Sequence, residues 1–166
     1  MLIFKQLYLS IIVLIMVVCG YTQAADTTIT LKGNVKASPC VVDSAMLTVE
    51  LGDYFMDSKS TYSDWKNLDL KLSSCPSGTS KVTATFSGTA GTDPTYFYAN
   101  SGTAKGVNVE LGDTSGNGKG NGKVMDVSIT SGTAKLSLRA RIAVTDKKTL
   151  AVGTVNTAVT VTYSYS

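Results

Sequence analysis

No histidine occurs anywhere in the 166 residues. That absence removes the commonest general base and, with only three cysteines in the chain, leaves no ordinary zinc site. Charge is also scarce, at 16% of residues. The 15 Lys and Arg nearly balance the 12 Asp and Glu, and no basic run is interleaved with aromatics, so nucleic acid is not an expected partner. No stretch holds a strong period of 3.6, which argues against a helical fold. Asp53, Asp57 and Asp64 fall in one polar segment, where turn formation and capping explain them without chemistry. The glycine-rich stretch TSGNGKGNGK, Thr114 to Lys123, lacks the order of a phosphate-binding loop and precedes no helical pattern. Nothing in these residues calls for a catalytic group, a metal or a cofactor.

One apolar run stands out, Leu7 to Val18, behind Lys5 and ahead of Thr22-Gln23-Ala24. It is shorter than the roughly 20 residues of a spanning helix, and the small Ala24 suits a signal peptidase, so residues 1–24 read as a secretory signal peptide. The competing reading is an uncleaved anchor. Cys19 follows Val18, where a lipid attachment site wants Gly, Ala or Ser. Removing the leader leaves Ala25 to Ser166, a length that suits one domain. Export then leaves Cys40 and Cys75 in an oxidising compartment, and one intramolecular disulfide is the expectation. It would close a loop of about 35 residues, worth roughly 3 to 4 kcal/mol in chain entropy.

Ser, Thr, Gly and Val dominate what remains, and they alternate. In the final stretch, GTVNTAVTVTYSYS from Gly153, Val155, Thr157, Val159, Val161, Tyr163 and Tyr165 share one face, and mostly polar residues fill the other. This is the pattern of a half-buried strand. Two readings fit it: a strand paired on both sides by earlier segments, or one whose second neighbour the chain does not supply. Alternation recurs in Ala25 to Ala37, broken by Gly33, a residue that inside a strand marks a bulge or a close backbone approach. It recurs in Met46 to Gly52, in Leu68, Leu70 and Leu72, in Val82, Ala84 and Phe86, in Val107, Val109 and Leu111, and in Lys135 to Thr145. CPSGTS, Cys75 to Ser80, reads as a hairpin turn, Thr114 to Lys123 as a flexible loop, and Tyr96 to Tyr98 as a cap on the core or a cover on a sheet edge. Seven or eight short strands predict an all-β sandwich.

These residues carry a family resemblance. A glycine opening the terminal alternating strand, Gly153, a penultimate tyrosine, Tyr165, paired cysteines and an N-terminal alternating extension with a central glycine resemble the fimbrial subunits of the chaperone–usher pathway. ADTTITLKG at Ala25, CPSGTSKVTATFSG at Cys75 and the terminal TVTYSYS resemble the minor linker subunits of type 1-like fimbriae. The resemblance implies an incomplete immunoglobulin-like β-sandwich lacking its seventh strand, with residues 25–37 as a donor extension and residues 38–166 as the domain. It implies that Ile29, Leu31, Gly33 and Val35 enter a neighbour's groove by donor-strand exchange. Gly153, Val155, Val159, Val161, Tyr163 and Tyr165 then form the groove and chaperone-binding strand of this subunit. The implied partners are a periplasmic chaperone, an outer-membrane usher and neighbouring subunits, on a path from periplasm to extracellular fibre. A major shaft subunit would share this architecture, and a carbohydrate-binding adhesin module using Tyr96 to Tyr98 is a further alternative.

Overall fold

Among the described residues, alternation of apolar and polar side chains builds eight strands: β1 (Val41–Val42), β2 (Lys66–Ser73), β3 (Lys81–Gly88), β4 (Phe97–Ala99), β5 (Val107–Asp113), β6 (Val124–Ser128), β7 (Ala134–Val144) and β8 (Val159–Tyr165). The structure, a computed structural model, describes Thr30, Lys32–Gly33 and residues 39–166. The signal peptide expected over residues 1–24 and the donor positions Ile29, Leu31 and Val35 lie outside the described residues. The chain divides into two units, Met1–Asn34 and Val35–Ser166, and all eight strands belong to the second.

Two antiparallel sheets form, one in the order β1-β2-β7-β5-β4 and one in the order β6-β3-β8. β7 is central to the first. It pairs with β2 in a register that sets Leu68 opposite Leu138 and Leu70 opposite Leu136, and with β5 so that Val109 faces Ile142. Because side chains alternate between faces, Leu136, Leu138, Ala140 and Ile142 all point inward while Arg139 and Arg141 point out. The second sheet answers with Val82, Ala84 and Phe86, each 0% exposed. Leu72, Tyr98, Leu136 and Leu138 complete the interior between the sheets.

Four expectations need correction. The run from Cys75 to Ser80 is not a hairpin, because β2 and β3 lie in different sheets. Ser74 adopts the left-handed region, with φ 50°, Cys75 N–H donates to the Gly132 carbonyl at 2.9 Å, and the chain is turned across the sandwich instead of back along its own sheet. Met46 to Gly52 alternates but forms no strand, since pairing with β2 ends at Val42. The stretch Thr114 to Lys123 is pinned, not loose: Lys119 N–H donates to Leu111, Gly120 N–H to Thr95 and Gly122 N–H to Phe86, which ties β5, the approach to β4, and β3 together. The terminal strand pairs with β3 only from Val159. The sequence reading also missed β6, whose VMDVS pattern alternates but buries Met125 and Val127 only partly.

Cys40 and Cys75 are joined by a disulfide, fastening the start of β1 to the corner beyond β2. Lys119 and Asp113 form an almost fully buried ion pair at 3.2 Å. Burial alone would raise the Asp113 carboxyl, but bonds from the Asn117 side chain and backbone and from the Lys119 ammonium more than offset it and hold the group below the usual carboxylate range.

Candidate functional site

Between the sheets, one side of the sandwich is open. A cleft of about 950 Å³ runs along it, with Phe86, Tyr98, Leu138 and Ile142 in its floor and, as its lips, two lengths of backbone that have a free side among the described residues.

The first lip is the C-terminal segment. Residues Val155 to Tyr165 keep a strict alternation, the odd positions half-buried and the even positions exposed. Val155, Val159, Val161 and Tyr163 line the cleft. β8 pairs with β3 alone among the described strands. Lys81 and Ser166 exchange reciprocal backbone bonds, at 2.9 and 3.1 Å. In an antiparallel ladder such bonded pairs recur every second residue, so the even residues of β8 bond to β3. The N–H and C=O groups of Val159, Val161, Tyr163 and Tyr165 therefore point to the free edge. The same residues present both their half-buried side chains and their unpaired backbone to the cleft. Burial raises the phenols of Tyr163 and Tyr165 above the usual value; for Tyr165 a bond with the Cys40 backbone partly offsets this and places the end of the strand beside the disulfide corner.

The second lip is the stretch over residues 44–54. None of its backbone groups has a hydrogen-bond partner among the described residues. Val49 and Leu51 are half-buried toward the cleft while Thr48 and Glu50 are exposed. Farther along, Phe55 is 70% exposed. This is the length in which a strand was expected: it has strand composition and no partner.

Gly153 sits where the C-terminal segment enters the cleft wall. A Cβ there would fall 2.6 Å from both the carbonyl carbon and the hydroxyl of Thr103, and closer still to the Ala104 nitrogen, so only glycine admits the approach. Gly33, in the other unit, is exposed, and a Cβ built on it meets nothing within 4 Å. The Tyr96 to Tyr98 group forms no platform: Tyr98 is fully buried, its hydroxyl donates to the Lys119 carbonyl at 2.9 Å, and burial pushes its pKa up to about 12. Among the described residues no group of His, Cys, Asp or Glu side chains is arranged to hold a metal.

An all-β sandwich with a long cleft, apolar in its floor, beside a terminal strand whose outer edge has no partner among the described residues defines a subunit of the pilin class. The comparisons agree. The family model described as "Fimbrial protein" matches residues 29–166, and the chain belongs to that family of fimbrial structural subunits. It is similar to protein FimG of Escherichia coli (strain K12), 42% identical over 149 residues covering 87% of each chain. It is also similar to the fimbrial-like protein YdeR of the same strain, 36% identical over 148 residues covering 86% of this chain and 87% of the other. Among solved structures, the P pilus rod subunit PapA superposes with a TM-score of 0.61 at 15% identity, over 78% of this chain and all of PapA, a likeness of fold.

Proposed function

We propose that the cleft accepts one β-strand from another protein and that the segment Ala25 to Ala37 is in turn donated to a neighbour. The observation that carries this reading is the coincidence of free backbone and half-buried apolar side chains on Val159, Val161 and Tyr163. Strand addition uses both at once, backbone bonds for affinity and alternate side chains for specificity. The vacancy corresponds to the seventh strand of an immunoglobulin-like sandwich. Before assembly a periplasmic chaperone would fill it, and at an outer-membrane usher the extension of the next subunit would replace that chaperone. Residues 1–24 would direct export, and the finished location is the extracellular fimbria. The position favoured is a minor linker, on the likeness of the Ala25, Cys75 and C-terminal segments to such subunits. The activity is mechanical assembly, not catalysis.

Gly33 tests the donor half. Its lack of a side chain is not required by packing within its own unit, which fits a requirement imposed by the groove it enters. Gly33→Leu is expected to leave the chaperone complex recoverable from the periplasm while abolishing incorporation into surface fibres. Normal incorporation refutes the donor role, and loss of the chaperone complex as well would assign Gly33 to the subunit's own folding.

A further inference from the structure

β8 as paired with β3 covers only Val159 to Tyr165, yet the alternation that marks the lip continues without a break back to Val155. What backs the earlier part is not β3 but the turn leading into β5. Thr154 C=O accepts from Ala104 N–H at 3.0 Å, and Asn156 C=O accepts from Ser101 N–H at 2.8 Å. Thr103 and Thr154 trade bonds, each backbone N–H donating to the other's hydroxyl, at 3.1 and 2.9 Å. The Asn100 side-chain oxygen accepts from Gly102 N–H at 2.9 Å and from Asn156 N–H at 2.8 Å, and its amide donates to the Ala104 carbonyl at 2.9 Å. Gly153 allows the contact from one side. Gly102 allows it from the other, since a Cβ there would meet the backbone and hydroxyl of Thr154.

Here too the even residues are engaged and the odd ones left free. Val155 and Thr157 therefore continue, on the same side, the unpaired edge offered by Val159 to Tyr165. We propose that Asn100 and Thr103 are positioning residues that hold Gly153 to Thr157 in line with β8, extending the accepting edge to Val155–Tyr165. The edge then spans roughly 37 Å at about 3.4 Å per residue. An accepted strand bridges two differently backed subsites, one supported by β3 and one by the Asn100–Ala104 turn. This inference rests on the strand-accepting reading of the cleft and adds to it the residues that set how long a strand is read.

The test uses the mature chain and three synthetic peptides as probes: the full sequence of Ala25 to Ala37, and its halves, Ala25 to Leu31 and Leu31 to Ala37. The wild-type chain should bind the full peptide at least about tenfold more tightly than either half, because bonds to Val155 and Thr157 add to those of β8. Thr103→Ala and Asn100→Ala should weaken the full peptide by about that factor while leaving one half at wild-type affinity, and Thr103→Ser, which keeps the hydroxyl, should restore it. Thr103 is exposed, so its truncation does not threaten the core. If the variants weaken all three peptides by one common factor, the turn serves general stability and the proposal is overturned. Equal binding of the full peptide and one half by the wild-type chain overturns it as well. If the wild-type chain binds none of the peptides, the cleft does not take a strand of this sequence, and this inference is overturned.

Discussion

Filling the cleft should stabilise the subunit by an amount comparable with a large part of its own folding free energy. Val155, Val159, Val161 and Tyr163 face the cleft half-buried. Complete burial of such side chains is worth about 1.5 to 3 kcal/mol each. With half of that already realised, four of them leave about 3 to 6 kcal/mol to be gained, an upper estimate because the unfolded chain is not fully extended. Each backbone bond to the free edge adds about 0.5 to 1.5 kcal/mol net. A domain's whole stability is about 5 to 15 kcal/mol. The perturbation is the peptide of sequence Ala25 to Ala37, added to the mature subunit during thermal unfolding under non-reducing conditions. At a peptide concentration 100 times Kd, linkage supplies about 2.7 kcal/mol, which for a domain of this size raises Tm by about 5 to 11 °C. A control peptide with Asp in place of Leu31 and Val35 puts charge against the apolar floor and should not protect. An unchanged Tm despite demonstrated saturation of the cleft, or equal protection by the control, would refute the reasoning.

Two further outcomes follow from the disulfide and from the buried ion pair. Replacing both Cys40 and Cys75 by Ser should cost roughly 3 to 4 kcal/mol, the loop-entropy value, read as a lowered urea midpoint with a steeper slope, because the unfolded chain freed of its cross-link exposes more surface. Asp113 has a folded-state pKa below its ordinary 3.8, so its contribution is complete above that value and is lost as pH falls through the lower folded value. Acid titration of Tm should therefore show a shallower decline below about pH 4 in Asp113→Asn than in the wild type, from a lower starting stability.

Strands with one wet face and one dry face were legible because period-2 alternation is a local signal. Lys135 to Thr145 is β7 almost residue for residue. The misreadings arose where pairing is decided by something distant. CPSG carries good turn residues, and nothing within it tells whether the next strand returns to the same sheet. The answer lies in the disulfide at Cys75 and the Gly132 carbonyl beyond β6. Thr114 to Lys123 has the composition of a linker, but its order comes from the buried Lys119–Asp113 pair and from backbone bonds to three other parts of the chain. Met46 to Gly52 has the side chains of a strand and no neighbour among the described residues, which no local pattern can reveal. The lock at Asn100 and Thr103 was invisible for a related reason. Polar residues in a turn ordinarily cap their own backbone, and here they reach some fifty positions along the chain, as the separations of 51 and 56 residues show.

The four sheet edges among the described residues differ in how open they are to pairing. An exposed edge invites unwanted pairing, and proteins blunt it by shortness or charge. β1 has two residues and β4 has three, too little to template a partner. β6 has five, and its face carries Asp126, bonded to Lys81 at 3.3 Å, with Lys123 just before it. β8 has seven residues, and from Gly153 to Ser166 the sequence contains neither a charge nor a proline. Among the described residues it is the one edge that is both long and free of charge, and its outward backbone groups belong to the residues that line the cleft. A single charge on the free edge should thus protect the subunit from promiscuous pairing only by destroying its capacity to accept a strand.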